Sequence, residues 1–259
     1  MVALIFLNRE MAVSSTTLHV SYSPPYQAIL LDIEGTTTPV AYVFEVLFPF
    51  ARDRVADFLR DRGSDAAVQA DLQQLRAEYE ADLSQGQSLP TWQGAGATAA
   101  VPYIQHLIAI DRKSTGLKSL QGKIWELGYR DGRLRSQLFP DVKPALQRWT
   151  AAGKKLFIFS SGSVQAQQLI FRYSEAGDLT SYLSGYFDTQ TGPKKVAESY
   201  QNIAAVMGLP PGKILFVSDV TAELKAAQTA GMETLFSNRP GNHSSDPEGF
   251  PSVQTFDEI

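Results

Sequence analysis

The chain has 259 residues, 44% hydrophobic and 19% charged, enough to bury a sizeable core as one large domain or one domain carrying an insertion. Its net charge of −4 argues against nucleic acid or an anionic lipid surface as the main partner. Cysteine is absent, which excludes disulfides and thiolate zinc sites, and the three histidines (His19, His106 and His243) are too scattered for a histidine-rich metal site.

Residues 1–25 read as an extension ahead of the first core strand. The opening MVALIFLNRE is apolar but lacks a basic n-region and a small-residue cleavage site, so it makes a poor signal peptide. Translation can begin at Met1 or at Met11. No uninterrupted apolar run reaches the roughly 18 to 20 residues that cross a bilayer, so a cytoplasmic protein with no membrane partner is expected. The run Ala28–Leu31 reads as a buried strand of a parallel sheet, and it ends abruptly in Asp32, Glu34, Gly35 and the hydroxyls of Thr36, Thr37 and Thr38. Ligands of open α/β sheets bind at the carboxyl ends of strands, which places acids and donors at a site. The competing reading is a strand followed by an ordinary polar turn.

From about Val43 to Leu138 the pattern is helical. Val43–Asp61 and Ala66–Leu83 carry apolar residues at three- and four-residue spacing, and a further helix is predicted from Val101 towards Tyr129. Residues 43–138 are therefore expected to form an all-helical cap inserted after the first strand, above its carboxyl end, leaving 26–42 and 139–259 as the α/β core domain. The expected role of the cap is a lid that excludes water and selects substrate. Gly94–Ala99 matches a dinucleotide fingerprint by letter. It follows Leu-Pro-Thr-Trp-Gln rather than a strand, and so reads as a flexible link. Further apolar runs at Lys155–Phe159, Ile214–Val217 and Glu233–Phe236 alternate with helical patterns at Val164–Tyr173, Lys195–Met207 and Ala222–Ala230. This alternation predicts a parallel sheet with helices on both faces. Gly208–Gly212 is a breaker, and Gly231 reads as a C-cap. The tail after about Asn238 is expected to be partly disordered, and Asn242-His243-Ser244 is a glycosylation sequon by letter only.

A strand-terminal carboxylate such as Asp32 can attack phosphorus and form an aspartyl phosphate. Two anions approach closely only with a cation between them, so a magnesium ion is expected to bridge Asp32 and the phosphate. Glu34, two positions on, points to the same side of an extended chain. It can serve as acid or base, and its main-chain carbonyl can complete the magnesium shell. Ser160 and Ser161, followed by Gly162 and a helix start, can cradle phosphate with a hydroxyl and free amides, although Ser-Ser-Gly-Ser is also common in turns. Lys194 or Lys195 can neutralise the charge growing on the phosphate, a solvated helix start being the alternative. Asp219 would supply a second magnesium carboxylate. Glu223 would hold a metal-bound water or form a surface salt bridge.

The order strand-Asp-x-Glu-Gly-Thr, strand-Ser, Gly-x-Lys, strand-Ser-Asp resembles the haloacid dehalogenase superfamily of aspartate-nucleophile phosphatases. Leu31-Asp-Ile-Glu-Gly-Thr-Thr-Thr-Pro39, Lys118-Ser-Leu-Gln-Gly-Lys-Ile-Trp-Glu-Leu-Gly-Tyr129, Ser160–Gln167 and Ser218–Glu223 are similar to the acireductone synthases within it. The resemblance covers roughly residues 26–238 and implies a Rossmann-like core. It implies that 2,3-diketo-5-methylthiopentyl-1-phosphate is enolised and dephosphorylated to 1,2-dihydroxy-3-keto-5-methylthiopentene (an acireductone) and phosphate, in methionine salvage. Asp32, Glu34 and Asp219 would match the magnesium positions, with one Mg2+ per chain. Ser160, Ser161 and the motif lysine would match the substrate positions. The family's spacing of one residue after glycine selects Lys194 over Lys195. The resemblance also extends through the lid around Gln121 and Gly122, and it suggests a monomer. Glu34 and Lys118 are both candidates for removing the carbon-bound proton. Two other readings are a phosphatase of the same fold acting on another small phosphate monoester, and a non-catalytic sensor of a phosphorylated ligand.

Overall fold

Apolar runs that are buried on both sides at once fit only the middle of a covered parallel sheet. The computed structural model, which describes residues 26–242 and 245–259, has such a sheet. The expected extension over 1–25, with His19 and His243, lies outside the described residues. Six strands, β1 (Ala28–Leu31), β2 (Lys155–Phe159), β3 (Gly185–Phe187), β4 (Ile214–Ser218), β5 (Glu233–Ser237) and β6 (Ser252–Val253), pair in parallel in the order β3-β2-β1-β4-β5-β6. Every residue of β1 is buried. Alternate residues face two cores. Ile29, Leu31, Ile158 and Val217 join one, whereas Leu30, Phe159 and Phe216 join the other, beneath Tyr200 and Leu224.

The strand order makes β1 the point where the chain first builds to one side and then returns to build on the other. β4 therefore lies directly beside β1, with Leu31 opposite Val217. This is the crevice where open α/β sheets bind ligands. Helices α5 (Val142–Ala151) and α6 (Val164–Arg172) pack on one face, and α7 (Ala197–Met207) and α8 (Thr221–Thr229) on the other.

Between β1 and β2 the elements are helical. A π-helical turn, Tyr42–Leu47, leads into α1 (Phe48–Arg62), and α2 (Ala66–Ser84), α3 (Val101–Ala109) and α4 (Thr115–Arg130) follow. The helix expected from Val101 to Tyr129 is broken at residues 110–114. Asp111 there takes a positive φ of 50°, and Ser114 caps α4 by accepting the Leu117 N–H at 3.1 Å. Helix α7 starts at Ala197, so both Lys194 and Lys195 precede it. Gly208 and Gly231, both at positive φ, close α7 and α8.

Strands β3 and β6, of three and two residues, were too short to leave an alternating signal. The tail departs from the expected disorder. Phe256 is fully buried with its ring 5.2 Å from that of Trp149, and Arg148 donates to the Phe256 carbonyl at 2.6 Å. Among the described residues no helix is long and apolar enough to cross a membrane. Truncating Phe256 to Ala should destabilise the whole fold by about 3–5 kcal/mol, because it empties a core position. Urea unfolding followed by tryptophan fluorescence reads this, and a loss below about 1 kcal/mol would mean the tail is not part of the core.

Candidate active site

The site begins with register. Because Leu31 pairs with Val217, the next residues, Asp32 and Ser218, emerge side by side, with Asp32 N–H donating to the Val217 carbonyl at 3.0 Å. Asp32 is buried. One of its carboxylate oxygens accepts from the Ile33 N–H at 2.8 Å and from Lys194 Nζ at 2.6 Å. Lys194 also meets Glu223 at 2.7 Å, and Ser218 Oγ donates to the same Glu223 oxygen at 3.0 Å. Lys194 is held in place through its own backbone, since the buried Tyr200 hydroxyl donates to its carbonyl at 2.7 Å. Lys195 is exposed, which settles which lysine of the pair turns inward.

Asp219, one residue beyond β4, is packed against Gly35: a Cβ on that glycine would stand 2.0 Å from a carboxylate oxygen of Asp219. Gly35 also adopts a φ of 73°, which L side chains rarely take. The loop it belongs to is folded on itself. The N–H groups of Thr36, Thr37 and Thr38 all converge on the Ile33 carbonyl, and Gly35 N–H donates to Thr38 at 2.8 Å. Thr37 Oγ donates to the carbonyls of Asp32 and Ile33. Across residues 32–38, one carbonyl alone, that of Glu34, accepts no hydrogen bond from the described residues. Thr36, expected as a donor, is fully buried and not part of the cavity lining; its Oγ has no hydrogen-bond partner among the described residues, and its carbonyl accepts from Arg239 at 2.9 Å.

Gathering acids in a buried place shifts them. Burial, followed by the nearby Asp32 charge, pushes Glu34 up to about 7 against the pull of Lys113. The same two causes raise Asp219 to about 8 and Glu223 to about 7. For Lys194 burial alone would lower the pKa, but the Asp32 and Glu223 carboxylates together outweigh it and raise it. Glu223, read as a water holder or a surface salt bridge, is in fact a buried partner of Lys194. Among the described residues no three His, Cys, Asp or Glu side chains are grouped to hold a metal ion. The Glu34 side chain lines the cavity between sheet and helices.

That cavity, about 710 Å³ and open to solvent, is where the helical segment meets the sheet. Glu34, Ser160, Ser161 and Gly162 line it from the sheet side; Asp111, Lys113, Lys118 and Gln121 line it from the helices. Val43, Leu47, Phe48, Trp125 and Ile170 give it an apolar wall. Lys118 lies 3.4 Å from Thr189, and burial, then Lys113, lowers its pKa. Ser160 Oγ accepts the Gly162 N–H at 3.2 Å. Two contributors escaped the sequence reading. Gln167, almost wholly buried, donates to the carbonyls of Gly162 and Phe187 and so ties the serine loop to β3. Asp111 and Lys113 form an ion pair at 2.6 Å beside Glu34. Gln167 ends the Ser160–Gln167 stretch, from which no role was assigned to it, and the Ser114 cap signals the turn that presents Asp111 and Lys113.

Three acids with raised pKa values bind protons in the folded state that the unfolded chain releases. Stability of the metal-free protein should therefore fall as pH rises from the unfolded values near 4 to the folded values of about 7 and 8. Melting in chelator at pH 6 and pH 8.5 checks the sign, and an unchanged or higher midpoint at pH 8.5 contradicts it. Gly35→Ala should remove activity by about a hundredfold or more, since its Cβ and the Asp219 carboxylate cannot share the space.

The match to a haloacid dehalogenase-like hydrolase family model spans residues 26–231. The chain is 62% identical over 231 residues to enolase-phosphatase E1 of Synechococcus elongatus, covering 89% of this chain and 96% of that protein. It is 47% identical over 234 residues to enolase-phosphatase E1 of Pseudomonas aeruginosa, covering 90% and 97%. A crystal structure of the UTR4 protein of Saccharomyces cerevisiae superposes with a TM-score of 0.74 at 33% identity, over 90% of this chain and all of that one. With relatives this similar along nearly its whole length, the chain belongs to the enolase-phosphatase E1 family of haloacid dehalogenase-like hydrolases.

Proposed function

We propose that this protein is a magnesium-dependent acireductone synthase. It would convert 2,3-diketo-5-methylthiopentyl-1-phosphate to 1,2-dihydroxy-3-keto-5-methylthiopentene and phosphate in methionine salvage. The observation that carries this reading is the shared cavity: Lys118 and Gln121 of α4 face the same space as Glu34 and the Ser160–Gly162 turn. Phosphoryl transfer needs the sheet tips, and enolisation needs proton-handling groups above them. Residues 43–138 act in this reading as the cover over a core of 26–42 and 139–259. A cytoplasmic monomer with a small-molecule substrate suits a cysteine-free chain of mild negative charge.

The carboxylates of Asp32 and Asp219 and the unpaired Glu34 carbonyl are hard oxygens of the kind magnesium takes, and they would hold one ion per chain. When bound, the ion would supply the positive charge that lets a phosphate dianion approach the Asp32 carboxylate. Ser160 and Ser161 hold phosphate oxygens at the start of α6, and the apolar wall by Phe48 and Trp125 receives the thioether end.

The product carries a C1=C2 double bond, so one proton must leave C1 and another must reach the oxygen on C2. Glu34, poised near 7, takes the first, and the Lys118 ammonium gives the second. An Asp32 oxygen then bonds to phosphorus. The bond between phosphorus and the C1 oxygen breaks towards that oxygen, which receives the proton from Glu34. Lys194 balances the charge on the Asp32 side throughout. Finally Glu34 deprotonates a water that attacks phosphorus, releasing phosphate and restoring Asp32.

A product assay on the diketo phosphate and a panel of sugar phosphates, with and without magnesium chloride, tests substrate and metal together. Preference for a sugar phosphate would favour another phosphatase role, and no phosphate release at all a ligand sensor. Asp32→Asn should lower phosphate release by about a thousandfold or more while the melting midpoint persists, and retained turnover removes the assigned nucleophile. Lys118→Met should slow the diketo phosphate by roughly a hundredfold. Hydrolysis of p-nitrophenyl phosphate should stay within about threefold, since that ester needs no enolisation.

A further inference from the structure

The end of β5 and the start of the segment expected from sequence to be partly disordered, Ser237, Arg239 and Asn242, reach back to the loop that carries Glu34. Gly35's carbonyl accepts from Asn242 Nδ2 at 3.1 Å and from Ser237 Oγ at 3.3 Å. Thr36's carbonyl accepts from Arg239 Nε at 2.9 Å, and Asn242 Oδ1 accepts the Val40 N–H at 3.3 Å. Arg239 in turn pairs with Asp141 and lies 4.0 Å from the Phe256 ring centroid, so this stretch is anchored in the core. One amide side chain thus bridges the two ends of the segment 35–40, within which the chain turns from the sheet tip into the π-helical turn at Tyr42.

We propose that Asn242 is a positioning residue for the Glu34 main-chain carbonyl. A peptide plane can rotate as a unit about its two flanking soft dihedrals, so an unpaired carbonyl is aimed only if its neighbours are pinned. On the near side Ile33's carbonyl is pinned by three loop amides, and on the far side Gly35's is pinned by Asn242 and Ser237. The Glu34 carbonyl between them accepts no hydrogen bond from the described residues, and it belongs to the peptide joined to Gly35, the glycine packed against the Asp219 carboxylate. The N–H of Gly35, in the same plane as the Glu34 carbonyl, donates to Thr38 at 2.8 Å, and because Gly35 at positive φ is the freest residue of the loop, the Asn242 clamp adds a hold on its other side, at the Gly35 carbonyl. The metal side of this inference rests on the phosphatase reading above; the loop geometry does not.

The test uses the full chain with Asn242→Ala and Asn242→Asp. In the alanine variant, amide exchange at Gly35, Thr36, Thr37 and Thr38 should accelerate at least about tenfold in metal-free protein, while β1 amides keep their rates. Half-saturation by magnesium chloride should rise about fivefold, with little change in melting midpoint. The aspartate variant keeps an acceptor for Val40 but sets a second oxygen against the Gly35 carbonyl, so it should fail to rescue either quantity. Faster exchange confined to Val40, an unchanged magnesium dependence, or full rescue by aspartate overturns the proposal. A wild-type protein with no magnesium requirement overturns the phosphatase reading instead, and that is seen before any substitution is made.

Discussion

Lys194 placed between Asp32 and Glu223 is the interaction on which the site depends. Asp32 and Asp219 approach one another at the tips of two adjacent strands, Glu223 joins them from the first turn of α8, and Glu34 from the turn after β1. Buried carboxylates at that density repel and lose hydration, and the raised pKa values of three of them record the cost. A single ammonium, that of Lys194, bridges two of them, 2.6 Å from Asp32 and 2.7 Å from Glu223. It does not neutralise the set. That excess negative charge would be offset by the divalent cation proposed above, without which a phosphate is repelled, and Lys194 is fastened by Tyr200 rather than left to find its own position.

The backbone dictates that crowding. Strand order puts β4 against β1, and the pairing of Leu31 with Val217 brings both chain ends out at one level. From there Gly35 lets the loop fold down onto Asp219. A residue with a Cβ at that point would push the loop off the carboxylate. The glycine is therefore part of the chemistry without touching it.

The core strands and most of the site residues were legible in the sequence, because each lies where an apolar run gives way to acids or hydroxyls. Asp32, Ser160 and Asp219 carry that signature, whereas only a family spacing separated Lys194 from Lys195; in the structure Lys194 is the one that meets Asp32, and Lys195 is exposed. What stayed hidden came from long-range partners. Gln167 looks like any polar residue of a helix, yet both carbonyls it serves lie outside α6. The tail has too little apolar periodicity to announce itself. Its order comes from Phe256 filling a gap beside Trp149 and from Arg239 held between Asp141 and two aromatic rings. The opposite error, one continuous helix across Asp111, arose because the apolar spacing continues through a turn that only the φ of that residue reveals.

Helix α4 links the two halves of the proposed chemistry by close packing. Lys118, Gln121 and Trp125 recur at three- and four-residue spacing, so they share the face that lines the cavity. Gly122, immediately beside that face, lets α6 approach so closely that a Cβ there would stand 3.0 Å from the Gln165 side chain, and Gln165 donates to Glu126 at 2.9 Å. Gly128 and Gly116 do the same towards α1 and α2, where a Cβ would meet Phe50 and Leu75. α6 is also the helix that the Ser160–Gly162 turn leads into, so the groups offered to a carbonyl lie on α4 and those offered to a phosphate lie just before a helix in direct contact with it. Their separation is fixed by side-chain packing that resists small changes. A substrate whose keto group lies one carbon from its phosphate ester needs just such a fixed span, whereas a cover joined only through flexible linkers would let the two ends drift.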